Sequence, residues 1–230
     1  MGEAKRTILI LIVGFLIVGR GYSLGDTAQT LYESAVYAYE IKDIKKALPL
    51  FKQAGELGHL EAQNRLANFY LSGDIVSQDY EEAMKWFREA GNNGDVQALR
   101  TLFNYTNSRG GKEQALALAI EIANHGDYEC QVLLGDSYAV GTRLAQYKQD
   151  FDKAIEWYLK AAKSKNMDIF EKIISFYQIY VKDDVEQYAW ACVKAKYGDS
   201  KTKDYLYSVS SPKIIKAGYL RSLELEKLLD

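Results

Sequence analysis

The sequence predicts an all-α fold, an α-solenoid of about five to six helix–turn–helix repeats. Residues 62–98 have the pattern of two short amphipathic helices joined by a polar loop, and much of the downstream sequence is a degraded copy of them. The three tryptophans of the chain fall at one position of the second helix of this unit: Trp86, Trp157 and Trp190. Because a short amphipathic pair cannot bury its apolar faces alone, we expect the copies to stack.

The second copy, residues 62–98, defines the unit. The apolar face of its first helix consists of small and apolar residues: Ala62, Leu66, Ala67, Phe69 and Tyr70. This helix is predicted to end at Gly73, since glycine adopts the left-handed conformation of a helix end at low cost. Asp79, with Glu82 three residues later, predicts the start of the second helix, which ends before Gly94.

The residue that ends each second helix recurs along the chain at intervals of 32 to 39 residues. It is glycine in four copies and lysine in one: Gly58, Gly94, Gly126, Gly198 and Lys165. The intervals vary only where the loops vary, and this predicts one common register for all repeats.

The other repeats follow in order. Residues 28–57 form the first, 98–126 the third, and 130–165 the fourth, which has the longest loop at residues 141–150. A fifth repeat contains Ile173, Phe176, Tyr177 and Trp190, and a closing pair of helices follows at about 201–208 and 212–229. The segment 212–229 is predicted to be a capping helix because it is apolar on one side and charged on the other. A solenoid needs such a polar-backed end to remain soluble.

Two copies match a known family pattern most fully. The matching residues of the second repeat are Ala62, Leu66, Tyr70, Gly73, Val76, Asp79, Ala83, Trp86, Ala90 and Gly94. Those of the fourth are Leu134, Gly135, Tyr138, Gly141, Asp150, Ala154, Trp157, Tyr158, Ala161 and Ala162. The chain resembles the Sel1-like repeat family, relatives of the tetratricopeptide repeats, over about residues 28–230. The resemblance implies a right-handed α-solenoid.

The sequence departs from that family pattern at two places. Ile75 replaces a loop glycine of the second repeat, and the third repeat has lost its tryptophan and shortened its loop. These departures concern local geometry and leave the predicted fold unchanged.

The N-terminus predicts export. Residues 1–6 are basic, residues 7–19 form an apolar run shorter than the ~20 residues of a membrane-spanning helix, and small residues follow. This pattern is typical of a signal peptide, here residues 1–25, with an uncleaved anchor as the alternative. We therefore expect a single domain over residues 26–230 in the periplasm or secreted, contacting a membrane only through an uncleaved signal segment.

Charge and composition limit the partners. Without residues 1–25 the net charge is −4, since three basic residues and one acidic residue are removed from a chain of net charge −2. A mildly acidic surface argues against nucleic acid and against an anionic membrane as the main partner. A protein partner is expected.

Few residues are candidates for chemistry. The two histidines, His59 and His125, lie beside the repeat-ending glycines, and no ligand-spaced cysteine, histidine or carboxylate pair surrounds them. We therefore interpret both histidines as turn residues rather than as metal ligands or a general base. Three aspartates precede second helices and are expected to be caps: Asp43, Asp79 and Asp150. We expect no enzyme, metal site or cofactor.

The two cysteines raise the question of a disulfide, because an exported protein lies in an oxidising compartment. In disulfide-rich members of the resembled family, a first helix is bridged to its own second helix. Here the position facing Cys130 is Ala161, and Cys192 lies within a helix of the fifth repeat. Free, mostly buried thiols are therefore favoured.

The surface of the first helices is the predicted binding site, because these helices line the concave face of a tetratricopeptide-like superhelix. By that analogy, the recognition strip consists of Glu33, Tyr37, Glu40, Asn64, Asn68, Leu71, Arg100, Asn104, Asn107, Asp136, Glu171 and Gln178. Amides and carboxylates suit the binding of backbone groups and basic side chains. For any single residue, an ordinary solvated position is the alternative.

The resemblance leads to three hypotheses about function. The first is a non-catalytic periplasmic binding protein, in particular an immunity or inhibitor protein that neutralises a secreted antibacterial effector such as a lipase. The alternative is an exported adaptor that tethers partners for host interaction or envelope assembly. A hydrolase, such as a β-lactam-binding enzyme, is the third.

Overall fold

The computed structural model describes residues 24–141, 148–199 and 211–229, together with residues 202, 206, 208 and 209. Within these residues it contains eleven α-helices and no strand, so the predicted all-α fold class is confirmed. The chain divides into two compact units, residues 1–105 and 106–230. The predicted signal peptide lies outside the described residues, except for Leu24 and Gly25, and it stays a prediction.

The first unit contains five helices: α1 (Leu24–Glu40), α2 (Ile44–Glu56), α3 (Leu60–Ser72), α4 (Tyr80–Asn92) and α5 (Val96–Ser108), the last of which extends past the boundary of the unit. Consecutive helices from α1 to α4 pack against each other. Their core is a cluster of fully buried small and apolar residues: Ala35, Ala38, Ala47, Phe51, Ala54, Ala62 and Leu66. Trp86 of α4 packs against this cluster, over Gly55 of α2.

The second unit contains six helices and one π-helical turn: α6 (Lys112–Asn124), α7 (Tyr128–Val140), α8 (Phe151–Ala162), α9 (Met167–Phe176), the turn Tyr177–Val181, α10 (Asp184–Lys196) and α11 (Pro212–Leu229). Consecutive helices pack together throughout the series. Trp157 and Trp190 are 8% and 1% exposed, and Trp190 stacks on Phe170 of α9. The sequence did not predict the π-helical turn. The helix α11 spans the residues predicted to form a cap.

The predicted caps are confirmed. Asp43, Asp79 and Asp150 each accept hydrogen bonds from backbone N–H groups in the first turn of the second helix that follows. In the last of these, Lys153 N donates to Asp150 Oδ1 over 3.0 Å. Asp183 caps α10 in the same way. Each carboxylate thus satisfies N–H groups that have no partner within the helix.

The predicted repeat ends are confirmed as well. The five residues identified from the sequence all have positive φ: Gly58 (88°), Gly94 (93°), Gly126 (89°), Gly198 (116°) and Lys165 (57°). Two further lysines, Lys42 and Lys182, take this conformation between the helices of a repeat, at 62° and 57°. A side chain makes the left-handed region unfavourable, so these lysines carry a conformational cost that glycine avoids.

Consecutive repeats are joined by a contact that the sequence did not predict. Gln63 of α3 donates its amide to the carbonyl of Gly55 over 2.8 Å, and Gln131 of α7 donates to Ala123 over 2.9 Å. Both bonds are buried and link a first helix to the second helix before it. Leu99 has the corresponding position in α5, where it packs closely over Gly91.

None of the helices that the structure describes combines the length and the apolarity needed to cross a membrane.

We predict that Lys42→Gly raises the free energy of unfolding by about 1 kcal/mol, because it removes left-handed strain at an exposed residue. Urea unfolding of the full chain measures this change. Lys45→Gly is the matched control, since Lys45 is exposed within α2 and should lose about 0.5–1 kcal/mol on the same change. Effects of the same sign would contradict the prediction.

We predict that the effect of Gly91→Ala on the free energy of unfolding changes sign when Leu99 is replaced by alanine. In the natural chain a Cβ at Gly91 overlaps the Leu99 side chain, which should cost about 1–3 kcal/mol. With Leu99→Ala already in place the overlap is gone, and the same substitution should stabilise α4 by about 0.5–1 kcal/mol. A double-mutant cycle by urea unfolding tests this, and additive effects would exclude the contact.

Candidate functional site

The residues of the recognition strip lie on helices of both units. In the first unit, α1 carries Glu33, Tyr37 and Glu40, α3 carries Asn64, Asn68 and Leu71, and α5 carries Arg100 and Asn104. In the second unit the strip comprises Asn107 on α5, Asp136 on α7, Glu171 on α9 and Gln178 in the π-helical turn. All therefore lie on first helices or on the turn that continues one. Their role in binding stays a prediction.

Some residues of the recognition strip serve the fold of the first unit. Asn64 donates its amide to Asp95 Oδ2 over 2.5 Å. The other oxygen of Asp95 caps α5 by accepting from the backbone N–H groups of Gln97 and Ala98. Asn64 therefore links α3 to the start of the next repeat, and replacing it would disturb that junction.

In the second unit Asp136 is also engaged. It accepts a hydrogen bond from the Tyr158 hydroxyl at 2.7 Å and one from the Lys172 ammonium at 2.8 Å, so it joins α7, α8 and α9. Tyr158 is 2% exposed and its ring lies over Gly135, where a Cβ would overlap it. Burial and the nearby Asp136 carboxylate raise the pKa of Tyr158 well above its ordinary value. Glu171 pairs with Lys194 of α10.

The remaining polar residues of the recognition strip face solvent. Five are exposed and make no side-chain hydrogen bond or ion pair within the described residues: Tyr37, Glu40, Asn104, Asn107 and Gln178. Tyr37 is the most exposed large apolar side chain of the described chain, at 65%. Asn68 is exposed and donates only to the carbonyl of Asn64, at 2.8 Å. Arg100 is half-buried and is engaged within the fold. The five unpaired side chains are accessible to a partner.

An open groove of about 440 Å³ lies between the C-terminal ends of α1 and α3 and the loop that follows α3. We call it the turn groove; it is lined by Tyr39, Asn68, Phe69, Leu71, Ser72, Asp74 and Ile75. The rings of Tyr39 and Phe69 stack at 5.6 Å. Two residues of the recognition strip, Asn68 and Leu71, thus border a concavity. From the sequence, Phe69 was predicted to lie on the apolar face of its helix.

Two hydrogen bonds close the loop beside this groove. Gln78 donates its amide to the carbonyl of Leu71 over 2.8 Å, and the N–H of Asp79 donates to the carbonyl of Tyr70 over 2.9 Å. The fourth repeat has the same pair of bonds, from Gln149 to Ala139 and from Asp150 to Tyr138. The glutamine that precedes Asp79 and Asp150 is the sequence signal for these bonds, and it was missed.

The geometry of His59 fits a structural role. Its Nδ1 accepts a hydrogen bond from the N–H of Ala62 at 3.3 Å and caps α3, so its Nε2 is the atom that donates to Gln29 at 2.9 Å. The ring stacks on Tyr32 at 4.2 Å. His125 is exposed at the end of α6. Among the described residues no group of three or more acidic, histidine or cysteine side chains could hold a metal ion.

Neither cysteine is part of a disulfide, in agreement with the interpretation favoured from the sequence: Cys130 is buried and Cys192 is half-buried. Cys192 lines a second cavity of about 650 Å³ between α10 and α11, together with Tyr188, Tyr219 and Leu223. Burial and the nearby Glu226 carboxylate raise the pKa of the Cys192 thiol, which disfavours the reactive thiolate.

Three segments of the chain match the Sel1 repeat family: residues 28–59, 60–95 and 129–166. The chain carries Sel1 repeats. These segments contain the predicted first and fourth repeats, and the second except for its last three residues. The sequence matches none of the curated proteins.

Several solved structures resemble the Sel1 repeat chain. A protective antigen of uropathogenic Escherichia coli with a Sel1-like repeat fold has a TM-score of 0.47 and 20% identity; the match covers 88% of this chain and 46% of that one, so this chain spans less than half its length. A Sel1 repeat protein from Oxalobacter formigenes has a TM-score of 0.44 and 22% identity, and the match covers 88% of this chain and 86% of that one. Immunity protein Pa5087 from Pseudomonas aeruginosa has a TM-score of 0.36 and 16% identity, and the match covers 88% of this chain and 83% of that one.

We predict that Tyr158→Phe weakens the dependence of stability on alkaline pH. Because the pKa of Tyr158 is raised in the folded chain, its contribution is complete below the unfolded pKa of about 10 and is lost as the pH rises above it. The free energy of unfolding should therefore fall less steeply above that pH in the variant.

Urea unfolding at a series of pH values measures both slopes. At neutral pH the variant should lose about 1 kcal/mol through the missing hydrogen bond to Asp136. Equal slopes in the two proteins would show that Tyr158 does not hold its proton in the folded state.

Proposed function

We propose that this Sel1 repeat protein is a non-catalytic binding protein of the periplasm, whose partner is another protein. The observation that carries the proposal is the set of exposed, unpaired side chains on the first helices of different repeats, exemplified by Tyr37, Glu40 and Asn104. A tyrosine and amides of this kind are suited to an interface, because they combine apolar area with hydrogen-bonding groups.

The absence of catalysis is part of the proposal. The titratable groups with the most evident catalytic potential have structural partners: His59 caps a helix, and Asp136 binds Tyr158 and Lys172. The raised pKa of Cys192 opposes nucleophilic chemistry at that thiol. A binding role requires none of these groups to react.

The specific role we propose is that of an immunity or inhibitor protein, which neutralises a secreted antibacterial effector, such as a lipase, through the surface of its first helices. The sequence predicts this surface to be concave. An inhibitor needs only one rigid surface complementary to its target, and fixed backbone elements meet that need because little conformational entropy is lost on binding. The capped helices and closed loops provide such elements.

We predict that the purified chain inhibits a candidate effector enzyme encoded beside its gene at a one-to-one ratio. The double variant Tyr37→Ala with Asn104→Ala should inhibit at least tenfold more weakly, as expected if the two residues together contribute ~1.4 kcal/mol to binding. Titration of effector activity measures this. The matched control is Gln53→Ala with Glu156→Ala, at exposed positions of second helices, and it should inhibit normally.

Inhibition that is unaffected by the first-helix substitutions and abolished by those on second helices would refute the proposed surface. A chain that binds the effector and a second protein together without loss of effector activity would be an adaptor, and the immunity role would be refuted.

A further inference from the structure

We propose that the turn groove receives one apolar side chain of the partner protein, flanked in the partner by lysine or arginine. This inference rests on the proposed function, because it names the chemistry of the partner at one part of the first-helix surface. The turn groove is a single feature of the first unit, and every residue that lines it is described.

The interior of the turn groove is suited to an apolar side chain. Its volume of about 440 Å³ falls in the ~300–1,000 Å³ range of ligand pockets. Tyr39, Phe69, Leu71 and Ile75 are all half-buried, so each offers apolar surface that is still in contact with water. Covering this surface releases that water, which is the main source of free energy in such contacts. The rings of Tyr39 and Phe69 stack on each other and pack against the buried cluster of the first unit. Because these contacts hold both rings in place, neither ring turns to fill the groove.

The negative charge at the turn groove favours lysine or arginine beside the apolar side chain of the partner. Asp74 lines the groove, and its carboxylate makes no hydrogen bond or ion pair within the described residues. Residues 71–82 contain four acidic residues and no lysine or arginine. Asp79 caps α4, Glu82 pairs with Lys85, and Glu81 acts on the same lysine. Asp74 is therefore the carboxylate of the groove lining that is free to attract a cation.

The groove is preformed. Gln78 and Asp79 hold the loop against the end of α3 through the carbonyls of Leu71 and Tyr70, and the N–H of Asp74 donates to the Ser72 hydroxyl at 3.3 Å. A loop fixed in this way loses little entropy on binding. Ile75, which stands where the repeat pattern has glycine, adds an apolar wall that the pattern itself does not supply.

Three blocked pentapeptides test the inference on the full chain labelled at its isoleucine methyl groups: Gly-Lys-Phe-Lys-Gly, Gly-Glu-Phe-Glu-Gly and Gly-Lys-Ala-Lys-Gly. We predict that the first shifts the Ile75 resonance saturably in an NMR titration. The peptides with glutamate or alanine should bind at least fivefold more weakly, because each loses one of the two complementary features. Equal binding of the first two peptides, or no saturable shift with the first, would overturn the inference.

Matched variants locate the binding. Asp74→Asn should weaken binding of the first peptide two- to fivefold in the same titration, in line with the ~0.2–1 kcal/mol of an exposed ion pair. Ile75→Ala removes the reporter methyl group, so its binding is compared with that of the natural chain by isothermal titration calorimetry, and it should be weaker still. The controls are Asp152→Asn and Ile179→Ala, which alter an exposed carboxylate and an exposed isoleucine of the second unit. They should leave binding unchanged, and an equal loss in the controls would overturn the inference.

The effector assay separates this inference from the proposed function. If Asp74→Asn and Ile75→Ala inhibit the effector normally while the Tyr37 and Asn104 substitutions do not, the groove is not used and the proposed function stands. If the natural chain inhibits no effector, the proposed function fails, and the groove as the partner's docking site fails with it, whatever the peptides show.

Discussion

Lateral burial of small apolar faces is the constraint on which this structure depends. Seven of the described helices have 13 residues, close to the ~12–15 residues below which an isolated helix is marginal in water. Each must therefore gain its stability from its neighbours. Every helix from α1 to α8 buries at least one alanine, which permits close approach of the backbones and has no side-chain entropy to lose. Larger side chains such as Phe51 and Trp190 fill the remaining space.

The same constraint decides which polar residues are available for function. A side chain at the edge of a buried face is recruited to join helices, as Gln63, Asn64 and Asp136 are. A side chain one or two positions further round the helix remains in solvent, as Tyr37 and Asn104 do. Polar residues that join helices and polar residues that remain in solvent therefore both occur on first helices, and only their contacts distinguish them.

Much of the fold could be predicted from the sequence because its signals are local. Asp43 and Asp79 cap helices within three residues of themselves, and Lys165 was identified as a repeat end from its position in the register alone. The hydrogen bonds between helices could not be predicted from local signals. The amide of Gln63 binds a backbone carbonyl, and a carbonyl carries no mark of its role in the sequence.

The candidate site was predicted only in outline. Helical spacing placed Asp136 on a first helix correctly, but spacing does not show that Tyr158 and Lys172 lie within bonding distance of it. The turn groove was missed for a related reason. Tyr39 and Phe69 follow the apolar period of their helices, and a residue at the end of such a face has the same pattern whether it is covered or open.

The paired hydrogen bonds that close the loops have a consequence for how such a chain diversifies. Gln78 with Asp79, and Gln149 with Asp150, anchor the far end of each loop to the helix before it, although the second loop is longer by three residues. The ends of the segment between Gly73 and Gln78 are thereby fixed by hydrogen bonds that its own side chains do not make. Loops of different length and sequence can therefore be carried on the same pair of helices.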